Sequence, residues 1–170
     1  MSLSTPEPVS AAVLTISDSC ARGEREDASG PSVANFLRTR GFVIAGAQVI
    51  PDESPAIQQA ILTWANKARL VVTTGGTGIA PRDVTPETTR AVCDRLLEGV
   101  AERMRLEGSK KTPFAMLSRG VCGVRGTSLV LNLPGSPNGA IDSLAAVIDL
   151  LPHALQLLAG NSHHDEPPTT

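Results

Sequence analysis

Residues 71–90, VVTTGGTGIAPRDVTPETTR, bring glycines, threonine hydroxyls and a carboxylate into one span. A β-branched apolar run stops at Gly75-Gly76, reaches Gly78 and places Arg82-Asp83 just before Thr85-Pro86-Glu87, which reads as a helix start. Glycines let the main chain take positive φ and let a ligand touch the backbone. Successive N–H groups in such a turn make a concave anion site. Thr73, Thr74 and Thr77 add hydroxyls, and phosphate is the anion that suits the pattern best. Asp83 beside bound phosphate would repel it unless a cation mediates, and Mg²⁺ is the usual one. The stretch contains neither GxxxxGK[ST] nor GxGxxG, so it supports neither a Walker A loop nor a nicotinamide or flavin fingerprint.

Three other segments share this character. SDSCARGEREDASGP (17–31) is long and polar. Its Ser17, Asp18 and Ser19 offer short hydrogen-bonding groups, and Asp27, Ser29 and Gly30 precede a helix N-terminus that suits an anion. IPDESP (50–55) sets Asp52 and Glu53 ahead of a helix, where carboxylates also complement the helix dipole. In NLPGSPNG (132–139), Pro134 and Pro137 stiffen the chain around Gly135 and Ser136, as a ligand loop or a tight turn requires.

These segments need elements to position them. AAVLTIS (11–17), FVIAGAQVI (42–50), LVVTT (70–74) and TSLVLNL (127–133) read as strands. A helix with Ser29 or Gly30 near its cap carries Val33, Phe36 and Leu37 on one face and stops at Gly41. A second, capped by Ser54 with Pro55 in its first turn, aligns Ile57, Ala60, Ile61, Trp64 and Ala68. The helix at Thr85 turns Ala91, Val92 and Leu96 inward, and residues 117–124 are ambiguous. The last helix runs through Ile141, Leu144, Ile148, Leu151 and Leu155, with Pro152 kinking or splitting it. The alternation predicts an α/β fold, a three-layer sandwich with a mostly parallel central sheet flanked by helices. One domain over 11–160 lies between loose ends at 1–10 and 161–170. Ligands of such sheets bind beyond the carboxyl ends of the strands. That selects the loops after Ile16, Ile50, Thr74 and Leu133.

Composition narrows the function classes. With 41% hydrophobic and 19% charged residues the chain can bury a core. A formal charge of −2 argues against broad electrostatic binding of nucleic acid, and 2% aromatics with no Tyr leaves no base-stacking platform. No apolar run approaches the ~20 residues of a membrane helix, and MSLSTPEPVS does not read as a signal peptide. Cys20, Cys93 and Cys122 form no CxxC pair and read as small, reduced, buried or half-buried side chains, which fits a cytoplasmic protein. His153 reads as core-adjacent or capping, and His163 and His164 sit in the polar tail.

SD…G…D.SGP (17–31), PDE (51–53), TTGGTG (73–78), RDVTPE (82–87), LSR (117–119) and NLPGSP (132–137) together resemble the molybdopterin adenylyltransferase family of molybdenum cofactor biosynthesis, which includes the G domain of gephyrin. The resemblance covers roughly residues 10–160. It implies that the terminal phosphate of molybdopterin attacks the α-phosphate of ATP, giving adenylylated molybdopterin and pyrophosphate. It implies Asp52 and Asp83 as the catalytic, Mg²⁺-binding carboxylates, and Gly75, Gly76, Thr77 and Gly78 as phosphate holders through backbone N–H. Ser17, Asp27, Gly30, Thr74 and Pro134, Gly135, Ser136 and Pro137 become further walls of the site. Ser118 and Arg119 match the family's Ser-Arg pair, Arg119 either structuring the site or meeting an anion. A homo-oligomer, trimer or hexamer, and the molybdate-inserting enzyme of the pathway are the implied partners. The same fold could instead bind molybdopterin as a carrier or scaffold without chemistry, or act as a pyrophosphate-bond hydrolase of the competence/damage-inducible type.

Overall fold

The run SAAVLTI forms strand β1 (Ser10–Ile16) of a six-stranded sheet in the computed structural model, which describes residues 8–160. A short turn of helix, α1 (Asp18–Ala21), and helix α2 (Ser29–Thr39) lead to β2 (Val43–Ile50). Helix α3 (Ser54–Ala65), β3 (Leu70–Thr74) and α4 (Thr85–Val92) follow. Then come β4 (Arg95–Leu96), α5 (Glu98–Ser109), a 3₁₀ segment (Pro113–Leu117), β5 (Cys122–Arg125), β6 (Ser128–Leu133), α6 (Pro137–Val147) and α7 (Leu151–Leu158). The strand order is β2-β1-β3-β6-β5-β4. The first four strands in that order are parallel, and β5 and β4 close the sheet antiparallel. The predicted α/β sandwich is therefore the observed fold.

Successive side chains of a strand face opposite layers. Val13 of β1 and Val72 of β3 join the core under α2, α5, α6 and α7, whereas Leu14 and Val71 join the core under α3 and α4. Strands β3 and β6 are buried along their whole length, which only flanking helices on both faces permit. Each fully buried Leu or Val contributes about 1.5–3 kcal/mol relative to exposure, so these layers hold the sheet rigid. Register then levels the strand ends: Ile16 pairs with Ile50, Thr15 with Thr74, and Thr74 with Leu133. The four selected loops leave from one edge.

Several local readings change. Glu53 rather than Ser54 is the N-cap of α3, and the Ser54 hydroxyl instead bonds Thr88 Oγ1 at 2.9 Å. Ala68 is buried but lies beyond the end of α3, in the turn into β3. Helix α4 ends at Val92, so Leu96 belongs to β4; Ala91 faces solvent. His153 is exposed on α7 rather than core-adjacent. Pro152 does split the last helix: α6 and α7 meet at 63°. Residues 97–116, to which the sequence reading assigns no element, hold α5 and most of the 3₁₀ segment. Helix α5 buries only Ala101 and Met104, too sparse a pattern to show in sequence. Ser10 belongs to β1, and His163 and His164 lie outside the described residues. Among the described residues no single helix is long and apolar enough to cross a membrane.

The three cysteines are free and differ in environment. Burial pushes the Cys122 thiol up to about 12 and the half-buried Cys93 thiol up to about 11, the Asp94 carboxylate adding to the latter. Thiolate is the reactive form. A disulfide reagent at neutral pH should therefore titrate one thiol of the native protein, Cys20, and all three after unfolding in guanidinium. Fast reaction of two or more native thiols would contradict this packing.

Candidate functional site

Two cavities open on the level strand ends. One, about 730 Å³, is polar and is lined by Ser17, Glu26, Asp27, Asp52 and Pro137 among others. The second, about 550 Å³, has a more apolar wall that includes Ile79, Met104, Phe114 and Leu117. Gly76, Asp83, Gly135 and Ser136 border both. Two bound molecules would meet at that shared wall.

The glycine turn is built for close approach. Gly75 and Gly76 have φ of 106° and 65°. A Cβ on Gly75 would lie 2.2 Å from the Ile16 carbonyl oxygen, and one on Gly76 2.3 Å from Thr85 Oγ1 and 3.1 Å from Asp52 Oδ1. Any side chain at Gly76 would push against the Asp52 carboxylate. The N–H groups of Gly76, Thr77 and Gly78 have no acceptor among the described residues, which leaves them free to meet an anion. Gly75 does not share in it, contrary to the expectation, because its N–H donates to the Leu133 carbonyl at 3.1 Å. Thr74 is likewise committed, its hydroxyl donating to the Pro134 carbonyl at 2.7 Å. Those two bonds dock the third loop on the fourth.

The carboxylates are held from the main chain. Asp18 N–H donates to Asp52 Oδ2 at 2.8 Å, and Asp52 N–H returns a bond to Asp18 Oδ1 at 3.0 Å. Arg82 then donates Nε and Nη2 to the two Asp18 oxygens at 2.7 and 3.0 Å. Asp83 Oδ2 accepts from Ala80 N–H at 2.9 Å. Although Asp18 and Asp52 exchange bonds, their acidities move in opposite directions. The Arg82 hydrogen bonds and the Asp52 N–H hold the Asp18 carboxyl below its ordinary range. Burial, together with the charges of Asp18 and Asp83, pushes the Asp52 carboxyl above it. The cation pairs with Asp18, which leaves Asp52 the carboxylate in need of positive charge.

Among the described residues no group of three or more His, Cys, Asp or Glu could enclose a metal. Asp52 and Asp83 offer two carboxylates on one wall, each backed by a glycine, since a Cβ on Gly78 would lie 2.8 Å from Asp83 Oδ2. Such a pair fits a hard cation that takes its remaining ligands from phosphate and water, as Mg²⁺ does.

Of the site residues that the resemblance implies, only Gly30 and Arg119 line neither cavity; Asp18, Ser19, Glu53 and Thr73, named as polar groups of the same segments, also lie outside both. Gly30 is packing: a Cβ there would lie 2.3 Å from both Asp27 Oδ2 and Thr15 Oγ1. Asp27 borders the polar cavity, but its carboxylate accepts from Thr15 Oγ1 at 2.7 Å and from Gly30 N–H at 3.0 Å, tying the start of α2 to β1. Arg119 structures the site. Its backbone N–H donates to Thr77 O at 2.9 Å, Nε to Gly78 O at 2.7 Å and Nη2 to Asp83 O at 2.7 Å, while Nη1 pairs with Glu87. One side chain thus spans the turn from Gly78 to Glu87. Ser136 caps α6, accepting from Gly139 N–H at 3.1 Å, and Ser118 Oγ accepts from Gly120 N–H at 3.4 Å.

The sequence reading gave no site role to Arg82 or Asn132. Buried Asn132 donates to Thr73 Oγ1 and Thr89 Oγ1, both at 3.0 Å, and accepts from Val121 N–H at 3.2 Å. A lone amide inside an otherwise apolar strand run was the signal for it. Arg82 stands in the motif RDVTPE, but its pairing was not legible, because its partner lies 64 positions away in the chain.

A carboxyl whose folded pKa is shifted upward contributes stability below its unfolded pKa and loses it as pH rises through the folded value. Ionised Asp52 therefore costs stability at neutral pH. Asp52→Asn should raise Tm at pH 7, and the difference should fade as the pH falls through the ordinary carboxylate range. Equal or lower Tm at pH 7 would mean that Asp52 is not electrostatically strained.

The comparisons agree on one family. A family model described as "Probable molybdopterin binding domain" matches residues 12–153. The Helicobacter pylori protein named molybdopterin adenylyltransferase is 37% identical over 155 residues, covering 88% of this chain and 87% of that one. The Drosophila melanogaster molybdenum cofactor synthesis protein cinnamon is 42% identical over 158 residues, covering 89% of this chain but only 26% of its own length. The crystal structure of the molybdopterin biosynthesis enzyme MoaB from Thermus thermophilus superimposes with a TM-score of 0.85 at 50% identity, covering 89% of this chain and 97% of that one. With the loops, the sheet order and these relatives in agreement, the chain belongs to the molybdopterin-binding domain family of molybdenum cofactor biosynthesis proteins.

Proposed function

We propose that this chain is a cytoplasmic molybdopterin adenylyltransferase that uses ATP and Mg²⁺. The observation that carries the reading is the wall common to both cavities. Gly76 and Asp83 border both cavities there, with Asp52 on the polar side and Thr77 and Gly78 on the apolar side, and the N–H groups of Gly76, Thr77 and Gly78 have no acceptor among the described residues. A site for one anionic ligand needs one cavity; a transfer between two needs two that meet.

In this reading an oxygen of the molybdopterin phosphate bonds to the α-phosphorus of ATP. The bond from that phosphorus to the bridging oxygen breaks, and pyrophosphate leaves with the electron pair. The Gly76–Gly78 amides would hold non-bridging oxygens, and Asp52 and Asp83 would hold Mg²⁺, which when bound would supply charge neutralisation at the reacting phosphates. Asp18 and Arg82 fix Asp52, and Arg119 fixes the segment that carries Asp83. Alignment and electrostatics do the work, and effective molarities of well-aligned reactants make that sufficient. The homo-oligomer and the molybdate-inserting partner implied by the resemblance belong to the same reading. A Synechococcus elongatus relative named molybdenum cofactor biosynthesis bifunctional protein, of which the match covers 49%, joins such a domain to a further one.

Pyrophosphate release from ATP tests the proposal. It should require both Mg²⁺ and molybdopterin, and Asp83→Asn should lower the rate by roughly 10²–10³-fold, the scale of losing one preorganised charge-stabilising group. Molybdopterin binding without release would leave a carrier. Release without molybdopterin would point to a hydrolase.

A further inference from the structure

Three strand-end carboxylates, Asp18, Asp52 and Asp83, lie close enough to feel one another, and one arginine decides which is left to a ligand. Arg82 stands next to Asp83 in the chain, yet its guanidinium reaches into the first loop and takes both oxygens of Asp18, Nε at 2.7 Å and Nη2 at 3.0 Å. Asp18 Oδ1 also accepts the Asp52 N–H at 3.0 Å. The Asp18 N–H holds Asp52 Oδ2 at 2.8 Å, while Asp52 Oδ1 accepts no hydrogen bond among the described residues. That free oxygen lies against the glycine turn, 3.1 Å from where a Cβ on Gly76 would stand. The contacts therefore run in a ring, from Arg82 in the third loop to Asp18 in the first, to Asp52 in the second, and back to Gly76 in the third.

Only the Arg82–Asp18 link of this ring joins two side chains, and the Arg82 side chain is 61% exposed. An ion pair so exposed adds little stability, so holding the fold together is not its main effect. Nor does Arg82 line either cavity, whereas an arginine that binds phosphate must reach ligand space. What remains is direction. A guanidinium fork meets a carboxylate at two points and fixes its plane, which a single ammonium does not do. Fixing the Asp18 carboxylate fixes the acceptor of the Asp52 N–H, and with it the end of the second loop.

We propose that Arg82 is a positioning residue: it aims the free oxygen of Asp52 at the glycine turn by way of Asp18, and it does not itself meet the phosphates. The inference rests on the adenylyltransferase reading for what Asp52 is aimed at, a divalent cation. Because Arg82 and Asp83 are consecutive, the spacing between the Asp52 and Asp83 carboxylates then depends on one side chain.

The test uses the full chain and Mn²⁺, a paramagnetic probe for Mg²⁺, titrated without nucleotide and followed by electron paramagnetic resonance. Arg82→Lys keeps the charge and loses the fork. It should weaken Mn²⁺ binding about 10-fold, the scale for a residue that orients a metal ligand, with native circular dichroism and unchanged Tm. In an Asp18→Asn background the same substitution should change nothing, because its route to Asp52 is gone. In the pyrophosphate assay Arg82→Lys should raise the Mg²⁺ concentration for half-maximal rate and leave KM for ATP at saturating Mg²⁺ unmoved. An effect of Arg82→Lys that persists in Asp18→Asn, or a raised KM for ATP at saturating Mg²⁺, would put Arg82 on the phosphates. Unchanged Mn²⁺ affinity would leave a surface ion pair, and a loss of Tm in step with the affinity a structural tie. Each of these overturns the assignment, as does wild type that takes up no Mn²⁺. The two readings fail separately. Mn²⁺ binding that depends on Arg82 through Asp18, in a chain that releases no pyrophosphate, sinks only the transferase. Release by a chain whose Arg82→Lys variant keeps full Mn²⁺ affinity sinks only the positioning role.

Discussion

Parallel strands cannot be joined by a tight turn, and everything in this molecule follows from that. Each of β1, β2, β3 and β6 is entered from the opposite edge of the sheet, so each of their forward loops leaves from the same edge. The crossovers bury both faces of β1, β3 and β6 and fix their register, so that Ile16, Ile50, Thr74 and Leu133 end level. A level edge lets residues from four distant segments meet, and a doubly covered sheet keeps them from drifting.

On that edge the chain accepts local costs. Two consecutive glycines take positive φ, and the Asp52 carboxylate sits partly buried beside two other negative groups. Arg82 relieves Asp18 rather than Asp52, and Arg119 spends its donors on the backbone of the segment carrying Asp83. The outcome is a rigid frame around an unneutralised charge and unpaired amides. Such an arrangement is unfavourable in the free protein, and a bound group that supplied the missing positive charge and acceptors would relieve it, which is what preorganisation means in physical terms.

The polar residues beneath the site serve the frame. Asn132 ties β6 to β3 and α4, and Thr74 ties the third loop to the fourth. No buried side-chain polar atom among the described residues is left without a partner. A buried amide or hydroxyl is tolerated only when so satisfied, and here that requirement sets how the strand ends sit relative to one another.

The sequence by itself determined the fold class and the four loops at the strand ends, because these are local properties: apolar periodicity, glycine in turns, carboxylates next to helix starts. It could also place the chain in a family, since the motifs TTGGTG and RDVTPE recur in order. Its failures were of two kinds. Helix α5 presents too few buried residues to announce itself, and Leu96 continued an apolar spacing across a real helix end. The rest was decided by long-range contacts. Which amides stay free depends on Leu133 taking the Gly75 N–H; which carboxylate is strained depends on Arg82 choosing Asp18; whether Arg119 faces a ligand or the backbone depends on where the segment from 76 to 87 folds. Hydrogen bonds and charges act through space over a few ångströms, and only the tertiary structure sets those distances.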